Sequence, residues 1–219
     1  MGQALNILED LSHDAAPIGD LRFRKLLSDT EWNALPPKVR ARFSKRVASG
    51  DTAVYVGHVT AMRLSVLGRV LVHLARLIGG PFPWATYAGA ASVVTVTEDA
   101  RSGGQVWTRL YACKHGLPQV IHSTKMFAGP TGLEEHVGCG VSMRLKASVE
   151  DRTLTFRSTG YFIGLGRFAI PLPGWLSPGV LTVTHAETGP DRFVFTLEVV
   201  HPRFGQLLFQ AGEFQDSRV

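Results

Sequence analysis

Residues 141–149 read VSMRLKASV, and their side chains alternate strictly between apolar and polar. In a β-strand, successive side chains point to opposite faces, so this segment has one apolar face and one polar face. The apolar positions are Val141, Met143, Leu145, Ala147 and Val149. A strand with one dry and one wet face is typical of an antiparallel sheet. After a tight turn at Glu150 and Asp151 the chain reads RTLTFRSTGYF, which predicts a β-hairpin over residues 141–162.

The same two-residue period continues through most of the chain from about residue 52, beginning with TAVYVGHVTAMRL at residues 52–64. Clusters of glycine, proline and polar residues separate the extended runs at short intervals. These turn sequences are EDARSGG, KHGLP, FAGPTGL, SVEDRT, PLPGWLSPG and ETGPDR. Because no helical pattern separates the later strands, parallel βαβ units are excluded. The sequence therefore predicts an α+β fold that is mainly antiparallel β, a curved β-barrel or half-barrel of about eight strands.

Helical patterns are confined to the first 80 residues. Ser28 with Glu31 three positions later has the form of a capping box, and Pro37 suits the first turn of a further helix. We expect residues 1–50 to form an N-terminal helical segment that packs on the barrel. Residues 51–219 are expected to form the barrel-like domain as one structural unit.

Residues 64–80, LSVLGRVLVHLARLIGG, predict one amphipathic helix inserted among the strands. The apolar stripe consists of Leu67, Leu71, Leu74 and Ile78, with Val70 and Leu77 at its edges. The basic side chains of Arg69, His73 and Arg76 fall on the opposite side. We expect the stripe to pack on the sheet, and contact with a membrane surface is the alternative.

The composition restricts the class of partner. The chain has 219 residues, 45% of them hydrophobic, and a net charge of +5. Much of the basic excess lies between residues 22 and 46, where no aromatic stacking platform accompanies it, so nucleic acid is not an expected partner. Cys113 and Cys139 lack zinc-ligand spacing, so we expect no metal, and we expect no other cofactor. The first residues, MGQALNILEDLSHD, lack the pattern of a secretory signal, and the expected location is the cytoplasm.

Residues 105–111, QVWTRLY, place Trp107, Arg109 and Tyr111 on one face of a strand. If that face lines the barrel interior, Arg109 must be paired or must meet an anionic ligand, because an unpaired buried charge is very unfavourable. The flanking rings would supply apolar area and cation–π contact. Such a face suits a pocket for an amphiphilic acid. The alternative is an outer face on which Arg109 extends over the rings into solvent.

Further candidates lie on later segments. Arg157 and Tyr161 are expected on one face of the second strand of the hairpin, as a polar wall of the same pocket. Trp175 lies at the centre of the loop 171–179, which three prolines and two glycines make rigid. We expect this ring to close the barrel mouth or contact a partner, with filling one end of the core as the alternative. Glu213 and His201, on the last two strands, are the candidate acid–base residues for a reaction.

Three stretches occur in a characteristic order: FRKLL…EWNALPPKVR, then WTRLY, then IPLPGWLSP…FTLEVVHPRFGQLLFQAGEF. In this combination the chain resembles the domain-of-unknown-function family 4166 over about residues 23–214. The resemblance implies a bacterial protein without assigned catalytic residues. It also implies a domain that occurs fused behind NAD-binding reductase-like domains, so a reductase is a candidate partner. Phe209 stands where the family often has tyrosine, and no role for a tyrosine hydroxyl is implied at that position.

The alternating strands and the aromatic faces around Arg109 favour a protein that binds a small apolar or amphiphilic molecule, such as a fatty-acid, isoprenoid or polyketide-like compound. Whether the chain is an enzyme stays open, because an isomerase or cyclase would use the same pocket with Glu213 or His201. A non-catalytic accessory domain would instead bind a reductase through its surface. An open apolar cavity favours binding, converging titratable groups favour an enzyme, and a filled interior favours an accessory domain.

Overall fold

Short helices precede the sheet in this computed structural model, which describes residues 19–45, 47, 50–165 and 168–217. Helix α1 is Asp29–Ala34 and helix α2 is Pro37–Ser44. The predicted capping box is present: the Ser28 hydroxyl accepts a hydrogen bond from the Glu31 backbone N–H, and the Glu31 carboxylate accepts one from the Ser28 backbone N–H. Pro37 begins α2, as predicted. Residues 1–18 of the predicted helical segment lie outside the described residues.

Within the described residues, eleven antiparallel strands form one sheet. Their bounds are β1 Thr52–Leu64, β2 Ala91–Glu98, β3 Gln105–Tyr111, β4 Gln119–Met126, β5 Glu134–Gly138, β6 Val141–Glu150, β7 Thr153–Leu165, β8 Phe168–Pro171, β9 Val180–Gly189, β10 Arg192–His201 and β11 Gly205–Asp216. Ten strands close into a barrel in the order β6-β5-β4-β3-β2-β1-β11-β10-β9-β7, and the β6–β7 pair completes the ring. Strand β8 pairs with β7 outside the ring. The predicted mainly antiparallel barrel is confirmed.

The strand count differs from the predicted eight because short strands carry little sequence signal. Strand β5 reads EEHVG, with two adjacent glutamates in five residues. Strand β8 reads FAIP, four exposed residues that end in proline. Neither segment is long enough for period-two alternation to be recognised, so counting alternating runs underestimates the number of strands.

The amphipathic helix lies between β1 and β2. Helix α3 is Val66–Leu74, and it continues as a 3-10 turn at Ala75–Ile78, in agreement with the predicted position. Its apolar stripe was predicted wrongly in part, because Leu67 and Leu74 are exposed whereas Gly68 and Val72 are buried. A Cβ at Gly68 would overlap the carbonyl oxygen of Leu207, so the helix backbone itself packs against the start of β11. No helix in the described residues is long and apolar enough to cross a membrane.

The strand directions define two ends of the barrel. Helix α3, strand β8 and the loops 112–118 and 172–179 lie at one end, which we call the mouth end. The N-terminal helices and the turns 99–104, 151–152 and 190–191 lie at the opposite end, which we call the plug end. Apolar side chains of the helical segment are buried in the core at the plug end; they include Phe23, Leu27, Trp32, Leu35, Val39 and Phe43. The helices thereby close this end of the barrel.

Arg42 of α2 connects the N-terminal helices to the strands of the barrel. One guanidinium nitrogen lies 2.8 Å from Nε2 of His185 on β9, and the other lies 3.1 Å from the carboxylate of Asp216 on β11. The guanidinium also lies 3.9 Å from the centroid of the Phe193 ring. Burial lowers the pKa of His185 well below its usual value, and the positive charge of Arg42 adds to the effect. The imidazole is therefore neutral and accepts a hydrogen bond from Arg42.

Candidate functional site

The barrel encloses a cavity of about 410 Å³. Its floor, towards the plug end, includes the side chains of Phe43, Phe156 and Phe214. Leu74 of α3 and Leu176 of the loop 172–179 line the cavity and are also exposed to solvent, 60% and 51% respectively. The mouth of the cavity therefore lies between α3 and this loop.

The face of β3 that carries Trp107, Arg109 and Tyr111 points into the cavity, and all three side chains line it. The opposite face of the strand is outside, where Leu110 is exposed. Trp107 and Tyr111 are buried, and the Tyr111 hydroxyl donates to Oε1 of Gln210 on β11 across 3.3 Å. Of the two orientations considered for Arg109, the structure shows the one in which the side chain faces the barrel interior.

Arg109 belongs to a cluster of three charged side chains on adjacent strands, which we call the charge cluster. Glu135 of β5 lies between two cations: its Oε2 is 3.0 Å from Nζ of Lys125 on β4, and its Oε1 is 3.4 Å from a guanidinium nitrogen of Arg109. Both Lys125 and Glu135 are buried. Arg109 also donates to the Ser123 hydroxyl across 3.0 Å, and the Lys125 ammonium lies 5.0 Å from the centroid of Trp107.

The charge cluster contains one more cation than anions, and the pKa values reflect this. Burial alone would raise the pKa of Glu135, but the nearby Lys125 and Arg109 charges lower it to about 2. Burial lowers the pKa of Lys125, and repulsion from Arg109 adds to this effect, while Glu135 offsets it only in part. The Glu135 carboxylate is therefore strongly stabilised, whereas Lys125 and Arg109 share a single anionic partner.

Hydroxyl groups add polar atoms to the part of the wall formed by β7, two strands from β5 in the ring. The Tyr161 hydroxyl lines the cavity and lies 3.3 Å from the hydroxyl of Ser158, both on β7. The Ser158 oxygen in turn accepts a hydrogen bond from the backbone N–H of Leu181 across 2.9 Å. Burial raises the pKa of Tyr161, so its hydroxyl stays protonated and available as a donor.

Arg157, predicted on the same wall as Tyr161, lies on the outer surface and is exposed. The reason is a β-bulge in β7: Arg144 of β6 pairs with Gly160 while the next residue, Leu145, pairs with Ser158. The extra residue in β7 reverses the alternation of faces, so Tyr161 points inward although Arg157 points outward. The prediction that both residues share one face was wrong.

The other predicted residues do not line the cavity either. Trp175 is 79% exposed at the mouth end, next to the rim residue Leu176. Glu213 lies on the outer face of β11, because its neighbours Gly212 and Phe214 both line the cavity. The Glu213 carboxylate is 3.9 Å from the guanidinium of Arg192.

His201 lies at the mouth end of β10, outside the cavity lining. Its Nδ1 accepts a hydrogen bond from the backbone N–H of Arg203 across 3.1 Å, and its ring stacks on Phe204. These are the contacts of a residue that stabilises a strand-end turn. The structure therefore does not bring Glu213 and His201 together as an acid–base pair.

Sequence reasoning missed Lys125 and Glu135. In QVIHSTKM the side chains of Gln119, Ile121 and Ser123 share a face with Lys125, and that alternation is the signal that could have placed the ammonium inside. A lysine near the end of a strand usually reaches solvent, so the pattern alone favours the wrong interpretation. Glu135 lies in a strand too short to be recognised.

The matching family model covers residues 35–214 and is described as Domain of unknown function (DUF4166). The chain belongs to this family. The DUF4166 match spans α2, all eleven strands except the last residues of β11, and every member of the charge cluster. No curated protein and no solved structure matches the chain significantly. Among the residues with a described structure, no group of three or more His, Cys, Asp or Glu side chains could hold a metal ion.

Proposed function

We propose that the barrel binds a small amphiphilic acid, with the carboxylate of the ligand at the charge cluster and its apolar chain directed to the mouth. The observation that carries this proposal is the presence of two cations and one anion in an otherwise largely apolar cavity. A buried charge is unfavourable unless it is paired. A ligand carboxylate would supply the second negative charge and accept hydrogen bonds from Arg109 or Lys125.

The position and size of the site support the same ligand class. Lys125 lies near the end of β4 and Glu135 near the start of β5, which places both towards the plug end. The rim, by contrast, is formed by apolar side chains such as Leu74 and Leu176. The cavity volume of about 410 Å³ lies within the range of roughly 300–1,000 Å³ that is usual for small-molecule sites. Fatty-acid-like molecules have the required polar head and apolar chain.

An enzyme is a second candidate for one reason, the buried amine of Lys125 at the cavity wall. A lowered pKa brings a lysine closer to the range in which it transfers protons. Glu135 is poorly suited as a general base, because a carboxylate with a pKa of about 2 binds protons weakly. Binding is therefore favoured over an isomerase or cyclase reaction. The reductase partnership implied by the family resemblance stays a prediction.

The proposal is tested by calorimetric titration of delipidated protein with dodecanoate and with dodecanol, which share one chain and differ in charge. We expect dodecanoate to bind roughly 10-fold more tightly or better, because a charge-assisted hydrogen bond contributes about 1.5–3 kcal/mol. Arg109→Gln should remove most of this preference. Arg157→Gln is the matched control, because Arg157 is an arginine on the outside of the barrel.

Equal affinity for the acid and the alcohol, or equal effects of the two arginine variants, would contradict the proposed head-group site. Native mass spectrometry of protein purified from cells provides an independent measurement. We expect a co-purifying acid that is lost in Arg109→Gln and retained in Arg157→Gln. For the enzyme candidate, the distinguishing result is a Lys125→Met variant that still binds the acid but no longer converts it.

A further inference from the structure

The exposed apolar side chains of the barrel are concentrated at the mouth end. On α3 and the turn after it they are Val66, Leu67, Val70, Leu74 and Leu77. On β8 and the loop 172–179 they are Phe168, Ile170, Trp175 and Leu176. Leu117 and Phe204 of two neighbouring loops are also exposed. Among the exposed large apolar residues of the described chain, Leu21 is the one that lies at the plug end. Such a one-sided apolar patch marks an interaction surface.

Two segments that contribute to the mouth end lack acidic side chains. The sequence contains no aspartate or glutamate between Asp51 and Glu98, the segment that includes α3, and none between Asp151 and Glu187, the segment that includes β8 and Trp175. The basic side chains of the mouth end include Arg63, Arg69, Arg76, Lys114 and Arg203. The plug end carries both signs of charge: acidic residues in its turns include Asp99, Glu150, Asp151 and Asp191, and the basic residues between 22 and 45 lie at the same end. The apolar patch is therefore surrounded by positive charge.

We propose that the mouth end docks on the surface of an anionic lipid bilayer. The docking surface consists of α3 with its following turn, strand β8 and the loop 172–179. Leu77 is 80% exposed and Trp175 is 79% exposed, so both would enter the boundary between head groups and acyl chains. Arg69 on α3 and Arg76 on the turn after it are exposed and would contact the anionic head groups.

Two observations favour a bilayer over a protein partner. The patch combines aliphatic side chains, an exposed tryptophan and arginines without acidic residues, the composition of segments that lie in a membrane interface. The patch also surrounds the cavity mouth, because Leu74 and Leu176 belong to both. Docking would therefore place the mouth against the lipid phase in which amphiphilic acids are dissolved. This inference concerns a different surface from the charge cluster and goes beyond the proposed ligand site.

Co-sedimentation of the full chain with lipid vesicles tests the proposal. We expect binding to vesicles of phosphatidylglycerol and phosphatidylcholine, and at least 10-fold weaker binding to phosphatidylcholine alone. The binding should weaken several-fold between 50 mM and 500 mM salt, because salt screens the attraction between arginines and head groups. Equal binding to both compositions, or no binding, would overturn the proposal.

Variants locate the surface. Leu77→Ser combined with Trp175→Ser should weaken vesicle binding at least 10-fold, and neither residue lines the cavity. Leu21→Ser is the matched control, since Leu21 is 55% exposed at the plug end and should leave binding unchanged. Arg69→Glu should weaken binding several-fold, whereas Lys45→Glu at the plug end should not. A control variant that lowers vesicle binding as much as its test variant would refute this location.

The same variants separate the two proposals. Arg109→Gln should weaken dodecanoate binding roughly 10-fold but keep vesicle binding, whereas Leu77→Ser with Trp175→Ser should weaken vesicle binding and keep dodecanoate binding. Sedimentation analysis over a range of protein concentrations should show a monomer. A dimer that Leu77→Ser and Trp175→Ser dissociate would assign the patch to a second copy of the chain, and would overturn the proposal of a bilayer.

Discussion

Glu135 is the only anion of the charge cluster, and its removal tests the electrostatics of the cavity directly. Glutamine keeps the shape of the side chain but leaves Lys125 and Arg109 without their shared partner. The Lys125 side chain is 5% exposed and that of Glu135 is 4% exposed, so solvent screens this pair little. Removing one partner of a buried ion pair costs about 3–5 kcal/mol. We expect Glu135→Gln to lower the free energy of unfolding at pH 7 by this amount.

The lowered pKa of Glu135 expresses the same stabilisation as a dependence on pH. The pKa is about 2 in the folded protein and 4.5 for the ordinary side chain, and each unit corresponds to 1.36 kcal/mol, so ionised Glu135 stabilises the fold by about 3 kcal/mol. Because the folded pKa is the lower one, this stabilisation is complete above about pH 4.5. It is lost as the pH falls from 4.5 to 2. The variant should lack this part of the acid sensitivity.

Urea denaturation followed by tryptophan fluorescence at several pH values measures both effects. Glu134→Gln is the matched control, because the Glu134 carboxylate is 22% exposed and lies 3.5 Å from Arg144. Its loss should cost no more than about 1 kcal/mol. Adding Lys125→Met to Glu135→Gln should restore part of the stability, since it removes an unpaired ammonium. Equal costs for both glutamine variants, with additive double-variant effects, would refute a buried and coupled cluster.

Two further predictions concern the plug end. Phe193→Ala should lower the free energy of unfolding by about 3–5 kcal/mol, because the ring is fully buried and contacts four other rings as well as the Arg42 guanidinium. A cost below about 1 kcal/mol in urea denaturation would contradict this packing. His185 has a folded pKa well below its ordinary value of 6.5, so the unfolded chain binds a proton there that the folded chain does not. Stability should therefore fall as the pH decreases below 6.5, and thermal melts of His185→Leu at pH 7.5 and 5.5 should differ less than those of the natural chain.

Period-two alternation was sufficient to predict most of the barrel, because long strands with one buried face leave a pattern that does not depend on their partners. The capping box at Ser28 and the proline at the start of α2 are likewise local signals, and both were predicted correctly. Closure depends on the pairing of β1 with β11, which are far apart in sequence, and on short strands such as β5. Nothing in the local sequence fixes those features.

The candidate site was predictable only where alternation is uninterrupted. Trp107, Arg109 and Tyr111 share a face in sequence and in the structure, because β3 contains no bulge. In β7 one extra residue separates Arg157 from Tyr161, and the predicted wall is therefore split between two faces. Alternation in β4 is consistent with an inward Lys125, but the partner that pairs its buried ammonium, Glu135, comes from another strand. Pairing across strands is tertiary information that alternation does not contain.

The N-terminal helices close the cavity at the plug end. The charge cluster lies towards this closed end, and the apolar rim surrounds the mouth at the other end. A fatty acid in a membrane has the same polarity, with its head group towards the water and its tail towards the bilayer centre. If the mouth faces the membrane, the molecule needs to slide along its own axis and never has to turn over. A longer tail would then extend back towards the lipid instead of meeting a wall. If both proposals hold, the site would select ligands by their head group and accept a range of chain lengths.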